Sequence, residues 1–417
     1  MSRSPGIPGR TTSRAIRSKS TTGIGPPSSC GSETSIFDTV DFPVAIPPCQ
    51  MRTLVWTVLP HLNRLTLLAS HPPLRHPFRP IITMSYAKER DVAINAVLRA
   101  SRLCQGVFQH LVAGQTLTKK DKSPVTIADY GSQAVVNVVL GQHFPEDPIV
   151  GEEDAADLRV ESGRTMKEKV VELANSVFEE KLGEDELLAA IDRGNYAGGA
   201  KGRHWTLDPI DGTKGFLRGE QFAVCLALIV DGVVTVGVMG CPNLPVSFSK
   251  PDGERGVLFV AVKGEGAFQR AFSATSESLI HVDANPDTSE ALFCESVEAE
   301  HSAHGDTAKI AEILGMHKAP VRMDSQCKYG TVARGDASIY LRVPTRKDYV
   351  EKIWDHAAGA LIVTEAGGVI SDVLGNPLDF SRGRTLSANK GIVVANQHIH
   401  AKVMEAVKTA LKGNPNL

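Results

Sequence analysis

Apolar positions recur along this chain in two rhythms, and the change between them organises it. Over residues 85–112, Val92, Ala96, Leu103, Val107 and Leu111 fall at helical spacing. A second helix is expected over residues 130–140, and the charged stretch 160–190 reads as further helix with a solvated face. After Phe222 the period drops to two. Residues 222–230 and 233–239 flank Asp231-Gly232, a hairpin-turn signal, and residues 256–262 add a third strand before the turn at Gly264-Glu265-Gly266. Beyond residue 280 the elements alternate. Strands are expected near 291–296, 337–343 and 391–395, helices near 306–314 and 354–365, and a closing helix after them. This pattern predicts an α/β (α+β) protein with helices layered on sheets.

Composition adds one division. The 417 residues are 42% hydrophobic and 22% charged, which excludes collagen-like and wholly disordered classes. The formal net charge of -2 rules out a general polyanion-binding surface, so recognition of a phosphate must be local. Residues 1–83, however, carry nine Lys/Arg against three Asp/Glu and hold 12 of the 24 prolines. Such a segment is expected to stay unpacked. Its apolar stretch, 54–68, is interrupted by Pro60, His61, Asn63 and Arg64, too short and polar to span a bilayer. Two explanations stay open: an organellar transit peptide, or a non-functional extension ahead of a true start at Met84. The expected organisation is a basic extension (1–83), an N-terminal α+β metal-binding domain (84–280) and a C-terminal α/β domain (281–417). The seven cysteines form no CxxC pair, which favours reduced thiols and a cytoplasmic protein, or a mitochondrial one if the extension is a transit peptide.

The candidate chemistry lies in carboxylates placed at element ends. Gly151-Glu152-Glu153-Asp154 leaves a short strand, and Asp208-Pro209-Ile210-Asp211-Gly212-Thr213 follows another. Trp354-Asp355-His356 opens an apolar helix, and Asp129 is a fourth candidate. Singly, such residues serve most often as helix caps or solvated turns. Together they suggest more. Asp208 and Asp211 are expected on either side of a proline-rigidified turn that aims both carboxylates and the Ile210 carbonyl at one point, an all-oxygen set suited to Mg²⁺. The Gly212 and Thr213 N–H groups would supply an anion cradle beside it. Cys225 and Cys327 are poor nucleophile candidates, since no histidine accompanies either.

These four clusters, in this order over residues 86–413, resemble the signature of the lithium-sensitive, magnesium-dependent phosphomonoesterases, the inositol monophosphatase and fructose-1,6-bisphosphatase superfamily. The resemblance implies a layered αβαβα sandwich and two or three Mg²⁺ ions held by Glu152, Asp208, the Ile210 carbonyl, Asp211, Asp355 and Asp129. It also implies that Thr213 and Asp129 orient and deprotonate an attacking water. In the C-terminal part, Glu300-His301-Ser302-Ala303-His304 and Met323-Asp324-Ser325-Gln326-Cys327-Lys328 resemble the nucleotide-binding segments of the 3′(2′),5′-bisphosphate nucleotidase branch. His301, Ser325 and Lys328 match positions contacting base, ribose and 5′-phosphate, and Arg342 matches a further phosphate contact. The imidazoles of His301 and His304 are expected over the mouth of the site. The implied reaction is hydrolysis of 3′-phosphoadenosine 5′-phosphate to AMP, and of 3′-phosphoadenosine 5′-phosphosulfate to adenosine 5′-phosphosulfate, in a sulfur-assimilation setting. An inositol (poly)phosphate 1-phosphatase and a non-catalytic nucleotide sensor are the alternatives. The expected partner is a small nucleotide bisphosphate, with no nucleic acid or membrane, and the expected state is a monomer.

Overall fold

The computed structural model describes residues 85–113, 123–298 and 303–414; the basic extension and His301 lie outside these described residues. Seven strands form the first sheet in chain order: β1 (Ile149–Gly151), β2 (Arg203–Asp211), β3 (Ala223–Val230), β4 (Val233–Pro245), β5 (Arg255–Val262), β6 (Gly266–Ala271) and β7 (Ser278–Leu279). The β1–β2 pair is parallel and the remaining pairs are antiparallel. The second sheet contains β8 (Phe293–Glu295), β9 (Val321–Arg322), β10 (Ile339–Arg342), β11 (Gly368–Ser371) and β12 (Ile392–Asn396), in the spatial order β11-β12-β10-β8-β9. The helices are α1 (Ala87–Ala113), α2 (Ser123–His143), α3 (Ala156–Arg159), α4 (Arg164–Asn175), α5 (Glu184–Asp192), α6 (Thr213–Arg218), α7 (His304–Ile313), α8 (Cys327–Ala333), α9 (Ala357–Glu365) and α10 (His400–Ala410).

Alternating side chains explain the layering. Leu207, Val224, Leu226 and Val238 point from one face of the first sheet into a core shared with Leu103, Val136, Leu140, Val170 and Ile191 of α1, α2, α4 and α5. Their neighbours Cys225, Ala227, Met239 and Phe259 point the other way, against Tyr329 and Val332 of α8, Ala358 and Ile362 of α9, and Tyr340, Ile392 and Val394 of the second sheet. The far face of that sheet, with Ile339, Leu341, Val393 and Ala395, packs on Ile310 of α7 and on Val403 and Val407 of α10. The result is a helix–sheet–helix–sheet–helix sandwich. Among the described residues, no helix is long and apolar enough to cross a membrane.

The hairpin forms where expected, with Asp231 (φ 49°) and Gly232 (φ 76°) both left-handed, the conformation of a type I′ turn. Three expectations are corrected. Helix α2 begins at Ser123, not near 130, because Pro124 in a first turn forfeits no hydrogen bond; Asp129 is therefore on a helix and not in a turn. Asp355 does not cap α9, which begins at Ala357 after His356 and has no side-chain cap from that residue. Asp208 and Asp211 do not flank a turn, since β2 runs through both.

Helices α8 and α9 cross closely because Gly359 faces the Tyr329 ring, and a Cβ at position 359 would fall inside contact distance of it. Tyr329 is buried and its hydroxyl is hydrogen-bonded to His356, so the ring cannot swing aside. Gly359→Ala is expected to cost about 1–3 kcal/mol by overpacking. Urea unfolding measures this, and an unchanged midpoint would mean that the helices are not in contact there.

Candidate active site

The site begins with an irregularity in β2. Asp208 pairs with Cys225 and Asp211 with Ala223, so three steps along β2 match two along β3. Residues three apart on a regular strand face opposite sides; the extra residue of this bulge puts both carboxylates on one side. Pro209, which has no N–H to give the ladder, sits within the bulge. Its carbonyl accepts a hydrogen bond from Ser132 of α2 at 2.9 Å, three residues after Asp129 on that helix. Gln133, fully buried beside Ser132, accepts from the Glu153 N–H at 3.0 Å and donates to the Ile191 carbonyl at 2.9 Å. Helix α2 thus fastens the Glu152 segment and the Asp208 segment together.

Glu152, Asp208, Ile210, Asp211, Gly212, Thr213, Ser325, Lys328, Arg342 and Asp355 line a single cavity of about 250 Å³. Ten residues read from the sequence thereby converge. Asp129 is buried and is not among the lining residues, yet its charge acts on Asp208. Gly212 has φ 90°, and a Cβ there would lie 2.9 Å from that of Ser325, so only glycine permits this crossing. Ser325 is itself left-handed, at φ 66°.

The carboxylates work against one another. Burial, then the charges of Glu152 and Glu153, raises Asp129 well above the usual carboxylate range. Burial, then Glu152, Asp211, Asp355 and Asp129, does the same to Asp208. Asp355 is raised by burial and Asp211, and Glu152 is pushed up to about 7 by burial, Glu153 and Asp211 although it reaches solvent. Asp211 is raised by burial, with Lys328, the Gln326 N–H and Arg342 opposing. Asp129 Oδ1 and Asp208 Oδ1 are buried with no hydrogen-bond partner. Unpaired buried anions and orphaned acceptors are costly, and a hard divalent cation would satisfy both.

The same cavity is also lined by cations. Lys328 is buried, donates to the Ser325 carbonyl at 2.8 Å, and lies 5.4 Å from the centre of the Tyr340 ring. Burial lowers its pKa, opposed by Asp211. Arg342 Nε donates to Glu351 at 2.8 Å, and the other Glu351 oxygen meets His356 Nε2 at 3.1 Å. His356 Nδ1 pairs with the Tyr329 hydroxyl at 2.8 Å. Burial would raise Glu351, but Arg342 and His356 hold it down at about 2.

One expectation fails here. His304 is not placed over this cavity; it opens α7, its Nε2 meets the Ser296 carbonyl at 3.1 Å, and it lines a different cavity. The described thiols are buried and free, and burial drives Cys225 far from a reactive thiolate. The clamps Ser132, Gln133 and Gln326 were not read from the sequence, nor was Arg384. Arg384 donates to the carbonyls of Gly194, Tyr196 and Gly151 while lying 4.9 Å over Trp354. The available signal was polar residues in apolar runs, as in Ser132-Gln133 before Ala134-Val135-Val136.

Bulge, carboxylate cluster and layered sandwich together define a known class: the chain belongs to the inositol monophosphatase family, whose profile matches residues 86–412. Members of this family are in general Mg²⁺-dependent. Among its relatives is an Emericella nidulans protein named 3′(2′),5′-bisphosphate nucleotidase, 50% identical over 352 residues, covering 79% of this chain and 100% of that one. A Schizosaccharomyces pombe protein of the same name is 48% identical, covering 80% and 98%. An Arabidopsis thaliana 3′(2′),5′-bisphosphate nucleotidase 1 is 46% identical, covering 79% and 98%. The fold is shared with an inositol monophosphatase from Zymomonas mobilis (TM-score 0.52, 21% identity, 78% and 99% covered). It is also shared with SuhB of Mycobacterium tuberculosis (TM-score 0.51, 20% identity, 80% and 100% covered).

A pH prediction follows from the raised carboxylates. In the unfolded chain they ionise near pH 4, and in the fold only at higher pH. Their contribution to stability is therefore present in acid and lost as pH rises through the folded values, by about 7 for Glu152. With EDTA, the Tm should fall between pH 5 and pH 8 relative to a Glu152→Gln, Asp208→Asn variant. Mg²⁺ should recover more at pH 8 than at pH 5. An equal Mg²⁺ effect at both values would contradict the account.

Proposed function

We propose that this protein is a Mg²⁺-dependent phosphomonoesterase that removes the 3′-phosphate of 3′-phosphoadenosine 5′-phosphate, giving AMP and phosphate. In the same way it converts 3′-phosphoadenosine 5′-phosphosulfate to adenosine 5′-phosphosulfate. The observation that carries this reading is one cavity lined both by the carboxylates Glu152, Asp208, Asp211 and Asp355 and by the cations Lys328 and Arg342. A substrate with two separated anionic groups suits such a cavity, its scissile phosphate toward the carboxylates and its 5′-phosphate toward the cations. The names of the relatives support the choice of nucleotide.

Two or three Mg²⁺ ions would be held by Glu152, Asp208, the Ile210 carbonyl, Asp211 and Asp355, with Asp129 completing the set. When bound, Mg²⁺ neutralises the carboxylates, polarises the phosphoryl group and makes water more acidic. The chain's own groups then position the reactants. Thr213, at the start of α6, orients the attacking water with Asp129 as its proton acceptor. Gly212 and Thr213 face the phosphate with backbone N–H groups. Ser325 contacts the ribose, and His301 the base. Lys328 and Arg342 bind the 5′-phosphate, with Glu351 keeping the Arg342 guanidinium in one orientation. Residues 1–83 are dispensable for this chemistry, and residues 84–417 act as a monomer on a small-molecule substrate.

Initial rates on 3′-phosphoadenosine 5′-phosphate, inositol 1-phosphate and inositol 1,4-bisphosphate at one Mg²⁺ concentration test the substrate. The nucleotide should be preferred. Preference for either inositol ester would overturn the assignment, and tight nucleotide binding with no phosphate release would mark a sensor. Lys328→Met should raise KM for the nucleotide about tenfold or more, since a lost charged hydrogen bond costs on the order of 1.5–3 kcal/mol. It should affect adenosine 3′-monophosphate far less. Equal effects on both would show that Lys328 does not read the 5′-phosphate.

A further inference from the structure

Two of the carboxylates come from segments far apart in sequence, Asp211 at the end of β2 and Asp355 just before α9. They repel: the charge of Asp211 contributes to raising Asp355. One buried residue joins the two segments. Gln326 is 2% exposed, and its backbone N–H, at the N-cap of α8 and so free of intrahelical pairing, donates to Asp211 Oδ2. The left-handed Ser325 and its close crossing with Gly212 turn that N–H toward the carboxylate. The side chain extends the other way. Its Nε2 donates to the Trp354 carbonyl at 2.7 Å, the peptide immediately before Asp355. Its Oε1 accepts from the Gly359 N–H at 3.0 Å, in the first turn of α9. That N–H is one of the donors a helix start leaves unpaired, and α9 has no cap from its own N-cap residue.

We propose that Gln326 is a positioning residue that sets the separation of Asp211 and Asp355 and thereby the affinity of the site for divalent cation. This rests on the reading of those carboxylates as metal ligands. Glutamine is suited to the position because one planar amide supplies both the donor that Trp354 needs and the acceptor that Gly359 needs. Gln326→Met keeps the length, the apolar packing and the backbone N–H, and removes both side-chain bonds. The Asp355 segment is then free to relax away from Asp211.

The test is calorimetric titration of metal-free protein with Mg²⁺, on wild type, Gln326→Met and a control, Asn137→Leu. Asn137 is likewise a buried amide, donating to the Ala190 carbonyl at 2.8 Å, and it does not line the cavity. Both substitutions should lower the Tm. Only Gln326→Met should weaken Mg²⁺ binding, by about 10–100-fold, the usual effect of losing a partner that orients a metal ligand. Unchanged affinity in Gln326→Met, or an equal loss in Asn137→Leu, would overturn the inference while leaving the metal site standing. Absence of Mg²⁺ binding by wild type would overturn both. If Gln326→Met does not fold, Gln326→Glu decides by the same titration: it keeps the acceptor for Gly359 and loses the donor to Trp354, and should weaken binding about tenfold. Unchanged affinity there would overturn the inference.

Discussion

Mutual repulsion among buried carboxylates is the constraint on which this structure turns. Asp129, Asp208, Asp211, Asp355 and the more open Glu152 would, if each stood alone, ionise in mild acid. Desolvated and brought together, all five are raised above the usual carboxylate range, Glu152 to about 7. A fold optimised for stability alone would not assemble them. The cluster is stored electrostatic work, released when a cation arrives.

Holding such a cluster requires rigid supports, and the sandwich supplies one from each layer it crosses. Helix α2 contributes Ser132 and Gln133, which grip the Pro209 carbonyl and the Glu153 peptide. The first sheet contributes the bulge that turns Asp208 and Asp211 to one side. Between the sheets, Gln326 at the head of α8 reaches both Asp211 and the start of α9. Arg384 closes the circuit, bonded to the Gly151 carbonyl and stacked over Trp354. Each support binds backbone rather than the carboxylates themselves, apart from the Gln326 N–H on Asp211. The carboxylate oxygens are thus left for the cation.

How much of this the sequence disclosed depends on how local each feature is. Long periodic runs announced α1 and the strands β3 to β5, because a buried face repeats every two or 3.6 residues. Helices α6 and α8 and strands β9 and β11 are shorter than any readable period. The cluster residues were legible as types, since several carboxylates beside glycines and a proline have few other uses in combination. Their arrangement was not. Residues 208–211 read as a turn because the parity reset exists only relative to Cys225 and Ala223 on the neighbouring strand. His304 was expected over the mouth of the site, but its partner is the Ser296 carbonyl. Gln326 and Arg384 carry no local mark, because their partners lie elsewhere in the chain and most are backbone groups.

The most direct test is the proton balance of metal binding. Mg²⁺ titration by calorimetry at pH 6.5, in buffers of widely different ionisation enthalpy, reports protons released as the site fills. Glu152, raised to about 7, and the other carboxylates raised with it must give up the protons they hold as the cation binds, so the observed enthalpy should change with buffer and show net proton release. Binding whose enthalpy is the same in every buffer would mean that the carboxylates were already ionised, and would contradict the claim that their repulsion is the organising feature of the site.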